Sequence, residues 1–414
     1  MPGSALGPKL SVDDLDMKDK NVIVRVDFNV PMKDGAILDD FRIKSALPTL
    51  EKINASGARL IIMSHMGRPK ETGYEEKFSL KPIAAHLGKL MGKPVGFAAD
   101  CCKAGEDVAK MNSGDILVLE NLRFYPGEGS KDKALRLEMA RILASYADLY
   151  VSDAFGTAHR DAASMTGVPE VMGQGASGYL MKKEIEYFSK ALKDPSKPVA
   201  AIVGGAKVSD KIQLLDNMLQ VVDEMVIGGA MAYTFLKASG KNTGKSMCET
   251  EATGKNGKID ILDLARKLLA KANDLGVKMH LPLDHRCATE FKDVEAFCTP
   301  DENIPDDMMA LDIGPKTEEL YRSVLANAKT AIWNGPMGVF EFENFKSGTW
   351  GVAKTLADNN STCLSIVGGG DSASAAEKSG YASQLSHIST GGGASLELLE
   401  GKVLPGLAIL TDKP

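Results

Sequence analysis

The stretch Val199-Ala200-Ala201-Ile202-Val203-Gly204-Gly205-Ala206-Lys207 is a continuous apolar run that ends directly in two glycines. A short run of this kind, without alternating polar residues, is typical of a strand buried on both faces of a parallel sheet. The same order of strand and glycine recurs before Gly228-Gly229-Ala230, Asn334-Gly335-Pro336 and Gly368-Gly369-Gly370-Asp371. The second half of the chain is therefore predicted to be an α/β domain whose loops expose the backbone after the strands.

Amphipathic patterns separate such apolar runs along nearly the whole chain, which predicts parallel sheets with crossover helices. The predicted strands are 22–26, 60–63, 116–119, 149–152, 199–203, 225–227, 277–281, 331–333 and 364–367. The predicted helices are 45–56, 81–91, 134–146, 182–192, 211–222, 259–275 and 317–328. One hydrophobic core rarely grows beyond about 250–300 residues, so a chain of 414 residues is expected to form two domains.

A domain boundary is predicted near the middle of the chain. The predicted helix 182–192 is followed by Lys193-Asp194-Pro195-Ser196-Lys197-Pro198, a segment whose two prolines favour an extended linker.

Composition excludes several classes of function. The formal net charge of −6 argues against general binding of nucleic acid or anionic lipid, which requires a basic surface. The six cysteines form no C-x-x-C pair, which favours a reducing compartment. Neither the first ten residues nor any other segment has the apolar run of a signal peptide or membrane span, so we expect a soluble intracellular protein.

The loops after the strands differ between the two halves. Ligands of open parallel sheets bind beyond the carboxyl ends of the strands, so these loops are the candidate site. The loops of the first half carry charged and polar side chains, among them Arg68, Arg123, Arg160 and His65. We add Arg42 to these residues as one predicted anion-binding set. Guanidinium groups bind phosphate and carboxylate through two parallel hydrogen bonds, so this set predicts a site for a small, multiply charged anion. Second-half glycines let a nucleotide approach backbone N–H groups, so this half is predicted to bind nucleotide.

Each signal also has a structural explanation when it is taken alone. One arginine near a strand end is usually a surface charge, and one Gly-Gly pair is usually a tight turn between strand and helix. Asp371 could serve only as a helix N-cap, and His65 and His159 could be ordinary hydrogen-bonded histidines. The recurrence in equivalent loops favours the functional interpretation.

Two glycine-rich motifs are rejected on context. Gly173-Gln174-Gly175-Ala176-Ser177-Gly178 has the dinucleotide-binding spacing, but no strand is predicted before it. Gly240-Lys241-Asn242-Thr243-Gly244-Lys245-Ser246 is one residue short of a Walker A loop and follows a helical pattern.

The motifs as a set resemble phosphoglycerate kinase over essentially the whole chain. The resemblance rests on these segments: Arg25-Val26-Asp27-Phe28-Asn29-Val30-Pro31, Ser64-His65-Met66-Gly67-Arg68-Pro69, 153–160, Gly204-Gly205-Ala206-Lys207-Val208-Ser209-Asp210-Lys211, Trp333-Asn334-Gly335-Pro336, 368–371 and 389–395. It implies two Rossmann-like lobes joined by a helical hinge. It also implies reversible phosphoryl transfer between 1,3-bisphosphoglycerate with ADP and 3-phosphoglycerate with ATP, dependent on Mg²⁺.

The resemblance also implies roles for parts of the chain. Residues 1–182 would bind phosphoglycerate, 183–198 would form the interdomain helix and linker, 199–388 would bind nucleotide, and 389–414 would return to the first domain. A cytoplasmic monomer is expected, without nucleic-acid or membrane partners.

Site residues transfer from the family by motif. The phosphoglycerate site would comprise Asp27, Asn29, Arg42, His65, Arg68, Arg123 and Arg160. The nucleotide site would comprise Gly205, Ala206, Lys207, Lys211, Gly229, Asn334, Pro336, Glu341, Gly368, Gly369, Gly370, Asp371 and Ser372, with Asp371 as the magnesium ligand. The catalytic group would comprise Arg42, Lys207, Lys211, Gly370 and Gly393. Many family members have glycine where this chain has Ala230 and threonine where it has Ser372.

Chemical reasoning agrees with these roles. A carboxylate acceptor is already ionised at neutral pH, so its phosphorylation needs no general base, only positive charge around the phosphoryl oxygens.

Two other functions compete. A nicotinamide dehydrogenase would place its glycine motif after a strand and a proton-relay histidine in its cleft. A hinged binding protein without catalysis would use the arginine set alone.

Overall fold

The structure is a computed structural model, and its described residues are 6–71, 73–254 and 257–414. The helices are α1 (Phe41–Ala55), α2 (Lys81–Met91), α3 (Gly105–Ala109), α4 (Lys133–Ala144), α5 (Val168–Met172), α6 (Tyr179–Leu192), α7 (Ile212–Met218), α8 (Met231–Ala238), α9 (Ile261–Asp274), α10 (Pro315–Asn327), α11 (Ser347–Asp358), α12 (Gly370–Lys378), α13 (Gly392–Leu399) and α14 (Pro405–Ala408).

The strands are β1 (Asn21–Val26), β2 (Met32–Lys33), β3 (Ala36–Ile37), β4 (Arg59–Met63), β5 (Gly96–Ala98), β6 (Ile116–Leu119), β7 (Leu149–Asp153), β8 (Ala176–Ser177), β9 (Val199–Val203), β10 (Glu224–Ile227), β11 (Glu251–Gly254), β12 (Gly257–Asp260), β13 (Lys278–His280), β14 (His285–Ala288), β15 (Phe297–Cys298), β16 (Met309–Ile313), β17 (Thr330–Asn334), β18 (Leu364–Val367) and β19 (His387–Ile388).

The chain divides into two compact units. The first unit comprises the described residues up to Glu186 together with Val403–Pro414, and the second comprises Tyr187–Lys402. The C-terminal segment is tied to the first unit by backbone hydrogen bonds, from Leu10 N–H to the carbonyl of Thr411 and from Gly406 N–H to that of Ala158, both at 2.8 Å. The chain therefore returns to the first unit at Val403, whereas the sequence placed that boundary at residue 389.

The first unit is built on a six-stranded parallel sheet in the order β5-β6-β4-β1-β7-β8. Strands β1, β4 and β6 are buried along nearly their whole length, so their apolar residues face helices on both sides. Val22 and Val24 of β1 pack with α1 and α2 residues such as Leu50 and Ile83 in one core. The central strands therefore hold their following loops on a rigid base.

The second unit has an equivalent sheet in the order β13-β10-β9-β17-β18-β19, again parallel throughout. It also contains an antiparallel sheet in the order β15-β14-β16 and the hairpin β11-β12. The predicted α/β class with two parallel-sheet lobes is confirmed.

Some predicted boundaries are wrong. Helix α1 begins at Phe41 rather than residue 45, because its first turn is largely exposed and lacks the apolar periodicity that marks the rest. Helix α7 spans only Ile212–Met218, since the chain forms turns both before and after it. The antiparallel sheet was not predicted, because β14 and β15 are short and β14 mixes charged with apolar residues, so neither gives a clear strand pattern. Within the described part of the chain, every helix is too short or too polar to cross a membrane.

Candidate active site

Four neighbouring strands of the first unit deliver the predicted anion-binding residues to one edge of the sheet. Asp27 and Asn29 follow β1, and His65 and Arg68 follow β4. Arg123 and Arg160 lie in the loops after β6 and β7, and β6, β4, β1 and β7 are consecutive in the sheet. Because parallel strands end at the same edge, residues distant in sequence meet there.

A cavity of about 470 Å³ opens at this edge. Arg25, Arg68, Arg123 and Arg160 line it, and we call it the arginine cavity. Arg68 and Arg160 are exposed, and neither side chain has a hydrogen-bond or ion-pair partner within the described residues. Guanidinium groups that converge on one cavity without protein acceptors are suited to an anionic ligand.

Asn121 fixes the position of the Arg123 loop. Its side-chain oxygen accepts the N–H groups of Met66 and Arg123, each at 3.1 Å, and its amide donates to the carbonyl of Met66 at 2.8 Å. Arg123 donates in turn to the carbonyl of Gly67 at 2.5 Å. The loops after β4 and β6 are therefore joined by one hydrogen-bonded network.

The floor of the arginine cavity contains residues that the sequence analysis did not assign to the site. Arg25 is 2% exposed, donates through Nε to Ser164 Oγ at 2.8 Å, and lies 3.9 Å from Glu128 Oε1. Ser164 donates to Glu128 at 2.6 Å, which completes a buried triad. Arg25 is a charged residue within an otherwise apolar strand, and buried charges are nearly always paired. This pattern was the sequence signal that Arg25 has a buried partner.

The arginines raise the local positive potential. Burial, and then the charges of Arg25, Arg123 and Arg160, hold the pKa of His65 well below its ordinary value of 6.5. Burial and the same neighbours lower the pKa of Arg123 to about 10. His65 is therefore neutral at pH 7, and a bound anion would relieve repulsion among the guanidinium groups.

Arg42 reaches the same region from a helix, not from a loop after a strand as predicted. It lies in the first turn of α1 and forms an ion pair with Asp27 at 2.7 Å. Asn29 accepts the N–H of Gly67 at 2.9 Å. Asp27 and Asn29 thus orient other site residues while Arg42 remains half exposed.

In the second unit, the glycine loops after β9 and β17 pass each other in direct backbone contact. We call this contact, between Gly204 and Gly335, the glycine crossing. A Cβ atom on Gly204 would lie 1.9 Å from the carbonyl oxygen of Pro336, and one on Gly335 would lie 2.0 Å from that of Gly204. Gly229 donates to the carbonyl of Met337 at 2.8 Å, which joins the loop after β10 to the same crossing. Only glycine permits this approach.

Asn334 connects the crossing to the loop after β18. Its amide donates to the carbonyl of Gly368 at 2.7 Å, and its side-chain oxygen accepts a hydrogen bond from Lys211. Ser372 Oγ accepts the N–H of Gly335 at 2.6 Å. The predicted nucleotide residues from four loops therefore form one connected surface.

Comparisons with known proteins identify the family of the chain. The phosphoglycerate kinase family model matches residues 12–402. The chain belongs to the phosphoglycerate kinase family.

Relatives match nearly end to end. The cytosolic phosphoglycerate kinase of Trypanosoma congolense is 57% identical, with 99% of each chain covered. The glycosomal one of Leishmania mexicana is also 57% identical, with 98% of this chain and 86% of the relative covered. The solved phosphoglycerate kinase of Coxiella burnetii superposes with a TM-score of 0.89 at 41% identity, covering 97% of this chain and 98% of its own.

Membership in the phosphoglycerate kinase family makes the chain an enzyme, a phosphotransferase of glycolysis. This excludes the dehydrogenase and the non-catalytic binding protein as alternatives. Of the two rejected motifs, 173–178 follows helix α5 and 240–246 follows helix α8, so neither follows a strand.

Asp371 is not the N-cap of α12. The N-cap of α12 is Gly369, and Asp371 is exposed in the first turn that follows. No group of three or more histidine, cysteine or acidic side chains that could hold a metal exists among the described residues. Magnesium is usually held by one or two carboxylates together with phosphate oxygens, so this donor set fits Mg²⁺ carried by a nucleotide.

Lys207 follows β9 and precedes α7. The chain forms turns after Lys207, and α7 begins only at Ile212, with Lys211 as its N-cap. Lys207 is exposed, whereas burial lowers the pKa of Lys211 against the opposing charges of Asp371 and Glu400.

The remaining predicted residues occupy the same edge of the second sheet. Ala206 is exposed beside Gly205, Glu341 is exposed further along the loop that follows β17, and Gly393 lies in the first turn of α13.

Proposed function

We propose that the arginine cavity of the first unit binds 3-phosphoglycerate or 1,3-bisphosphoglycerate and that the glycine loops of the second unit bind ADP or ATP. The reaction is the family's reversible phosphoryl transfer between these substrates. The observation that carries the assignment is the convergence of Arg25, Arg68, Arg123 and Arg160 on one cavity beside the neutral His65.

The arginine cavity suits a ligand with two anionic ends. The exposed side chains of Arg68 and Arg160 can each form two parallel hydrogen bonds with a phosphate or carboxylate. Arg123 is held by Gly67 and repelled by its neighbours, so it gains most from a bound anion. Arg42, paired with Asp27, would face the reactive carboxyl group, because Arg42 enters from the separate helix α1.

The second unit suits nucleotide phosphates. Helix α12 begins at Gly370, directly after the loop that follows β18, and the helix dipole favours negative charge at this N-terminus. Asp371 would hold the Mg²⁺ that accompanies the nucleotide, and the bound metal would neutralise charge on the transferring group. Glu341 would accept from the ribose, and Pro336 would lie beside the base.

Transfer is proposed to proceed in line, without a covalent intermediate on the enzyme. Lys207 is exposed and without a protein partner in the described chain, so its ammonium is available to follow the phosphoryl group. Lys211 is held by Asn334 at the edge of the nucleotide loops. The acceptor carboxylate needs no base, which agrees with Asp27 being occupied by Arg42.

Water is the competing acceptor, so we propose that the two units close around the substrates before transfer. Residues 184–189 of α6 are one proposed hinge, because the chain passes between the units within α6. Residues 389–395 are the second, because they lead into α13, the last helix before the chain crosses back at Val403.

The test is a coupled assay of acyl-phosphate formation from ATP and 3-phosphoglycerate, with and without Mg²⁺. Calorimetric titrations with each substrate alone should show separate binding. Competition between ADP and 3-phosphoglycerate for one site would contradict the division between units.

We also propose that the enzyme acts as a cytosolic monomer. Relatives at similar identity are named cytosolic and glycosomal, so the compartment requires immunolocalisation. Analytical ultracentrifugation would test the monomer.

A further inference from the structure

Two consecutive cysteines of the first unit lie outside the residues assigned to catalysis. Cys101 and Cys102 follow β5, and their Sγ atoms are 3.9 Å apart. Both are free thiols, because a disulfide bond would bring the sulfurs to about 2.0 Å. Cys101 is buried and Cys102 is half buried.

The separation of the two sulfurs fits bridging by a single thiophilic atom. Two bonds of about 2.3 Å from one tetrahedral centre place sulfurs roughly 3.8 Å apart. The smaller bond angles of trivalent arsenic bring the sulfurs closer, so the two thiols need only a small approach to form the bridge. The described residues provide no third histidine, cysteine or acidic ligand in a metal-binding group. A centre that already carries its own organic substituent needs only two sulfurs from the protein, and this favours a trivalent organic arsenical over a bare metal ion.

A cavity beside the pair can hold the substituent. Its volume is about 430 Å³, and Cys101, Tyr74, Phe124 and Tyr125 line it. The rings of Tyr74 and Phe124 meet edge to face at 5.5 Å. An aryl group would therefore contact aromatic side chains.

The turn that carries the cysteines is well ordered by hydrogen bonds. Asp100 accepts the N–H of Cys102 at 2.9 Å and the hydroxyl of Tyr125 at 2.7 Å. The hydrogen bond between the two thiols, together with burial and nearby acidic groups, raises the pKa of Cys101 well above its ordinary value. Both sulfurs are therefore held side by side while Cys101 keeps its proton at neutral pH.

We propose that Cys101 and Cys102 form a modification site for trivalent organic arsenicals of the type R–As=O. Two As–S bonds form, the As=O bond breaks, and both thiol protons leave on the oxygen as one molecule of water. The oxidation state of arsenic does not change, so no separate oxidant or reductant takes part.

The site is connected to the arginine cavity through Asn121. Glu120 and Asn121 form part of the wall of the 430 Å³ cavity, and Asn121 holds the backbone of Arg123. An aryl group in this cavity would contact Asn121, and we expect this contact to shift the Asn121 side chain and with it the Arg123 loop. This step rests on the proposed function, in which Arg123 binds 3-phosphoglycerate. We expect the KM for 3-phosphoglycerate to rise at least about fivefold, which is the lower end of typical coupling between sites. The KM for ATP should stay unchanged.

The experiment uses the full chain and phenylarsine oxide. The protein treated with phenylarsine oxide should keep one adduct in excess 2-mercaptoethanol, because a bridging pair of thiols outcompetes single thiols. The dithiol 2,3-dimercaptopropanol should remove this adduct. Intact-mass spectrometry measures both results. Cys102→Ser and Cys101→Ala should lose this resistant adduct. Cys298→Ser is the matched control. Cys298 and Cys287 lie on the paired strands β15 and β14, so they are a second pair of cysteines close to each other that could compete for the arsenical.

The outcomes separate the two parts of the proposal. A resistant adduct that persists in Cys102→Ser, or is lost in Cys298→Ser, would overturn the site. Peptide mapping of the wild-type adduct to the segment with Cys101 supports it even if Cys101→Ala fails to fold. An adduct at this segment with an unchanged KM for 3-phosphoglycerate would overturn the coupling to Arg123. A failure of the proposed function is detected separately, because the untreated enzyme would then show no phosphoglycerate kinase activity.

Discussion

The two units present different groups to the phosphate-bearing ligands that we propose for them. The first unit uses side chains, with Arg68, Arg123 and Arg160 converging on one cavity so closely that burial and neighbouring charge lower the pKa of Arg123 to about 10. The second unit uses backbone, with Gly204 and Gly335 in contact where no side chain fits. A small rigid anion is recognised by charge and fork geometry, whereas a nucleotide also needs room for close approach. The difference predicts distinct responses to mutation.

Lys207 provides the largest expected effect. Lys207→Ala should lower kcat by roughly two to three powers of ten with little change in either KM, because its charge is proposed to act mainly on the transition state. Steady-state kinetics in both directions checks this. Lys354→Ala is the control, since Lys354 is an exposed lysine paired with Asp358 on α11. A folded Lys207→Ala enzyme with normal kcat would remove Lys207 from the mechanism and leave Arg42 as the main candidate.

The arginine cavity should respond selectively to loss of charge. Arg68→Ala and Arg123→Ala should each weaken 3-phosphoglycerate binding by about 1.5–3 kcal/mol, roughly 10- to 150-fold, and leave ADP binding unchanged. High salt should reproduce part of the loss. Isothermal titration calorimetry with each ligand measures this, and Arg322→Ala on the exposed surface of α10 is the control. Equal losses for both ligands would indicate a structural role instead.

The glycine crossing should respond to added volume and not to charge. Gly335→Ala should destabilise the second unit by about 1–3 kcal/mol and weaken ADP binding, because the new methyl group meets the carbonyl of Gly204 and the backbone φ is 101°. Gly351→Ala on α11 is the matched control, since nothing lies within 4 Å of its added Cβ. Denaturant unfolding and ADP titration test both variants. Loss of 3-phosphoglycerate binding alone in Gly335→Ala would contradict the division of roles.

The smallest expected effect is a change in the pKa of His65 when an anion binds. Its pKa is depressed by burial and by surrounding arginines, so a bound anion should raise it toward 6.5. The sign follows from linkage: a histidine with a depressed pKa in the folded state costs stability as the pH falls below about 6.5. NMR titration of the imidazole with and without inorganic phosphate measures the shift. A pKa that phosphate leaves unchanged would place the anion away from His65.

The sequence by itself determined the strands and the loops that follow them. Residues 116–119, 199–203 and 364–367 coincide with observed strands, because a buried parallel strand is a local apolar run with clear ends. The glycines and arginines after the strands were recognisable for the same reason, since their positions follow from where each strand stops. The assignment of roles to these loops stays a proposal that rests on the site geometry and the family.

The tertiary structure alone decided which of these residues meet. Arg25 enters the floor of the cavity only because Ser164 and Glu128, more than a hundred residues away, pack beneath β1. Arg42 joins Asp27 because α1 begins one turn earlier than its apolar pattern indicates. Strand order and these buried charge contacts arise from pairing between distant segments. Local periodicity carries no information about that pairing, so its outcome is visible only once the chain has folded.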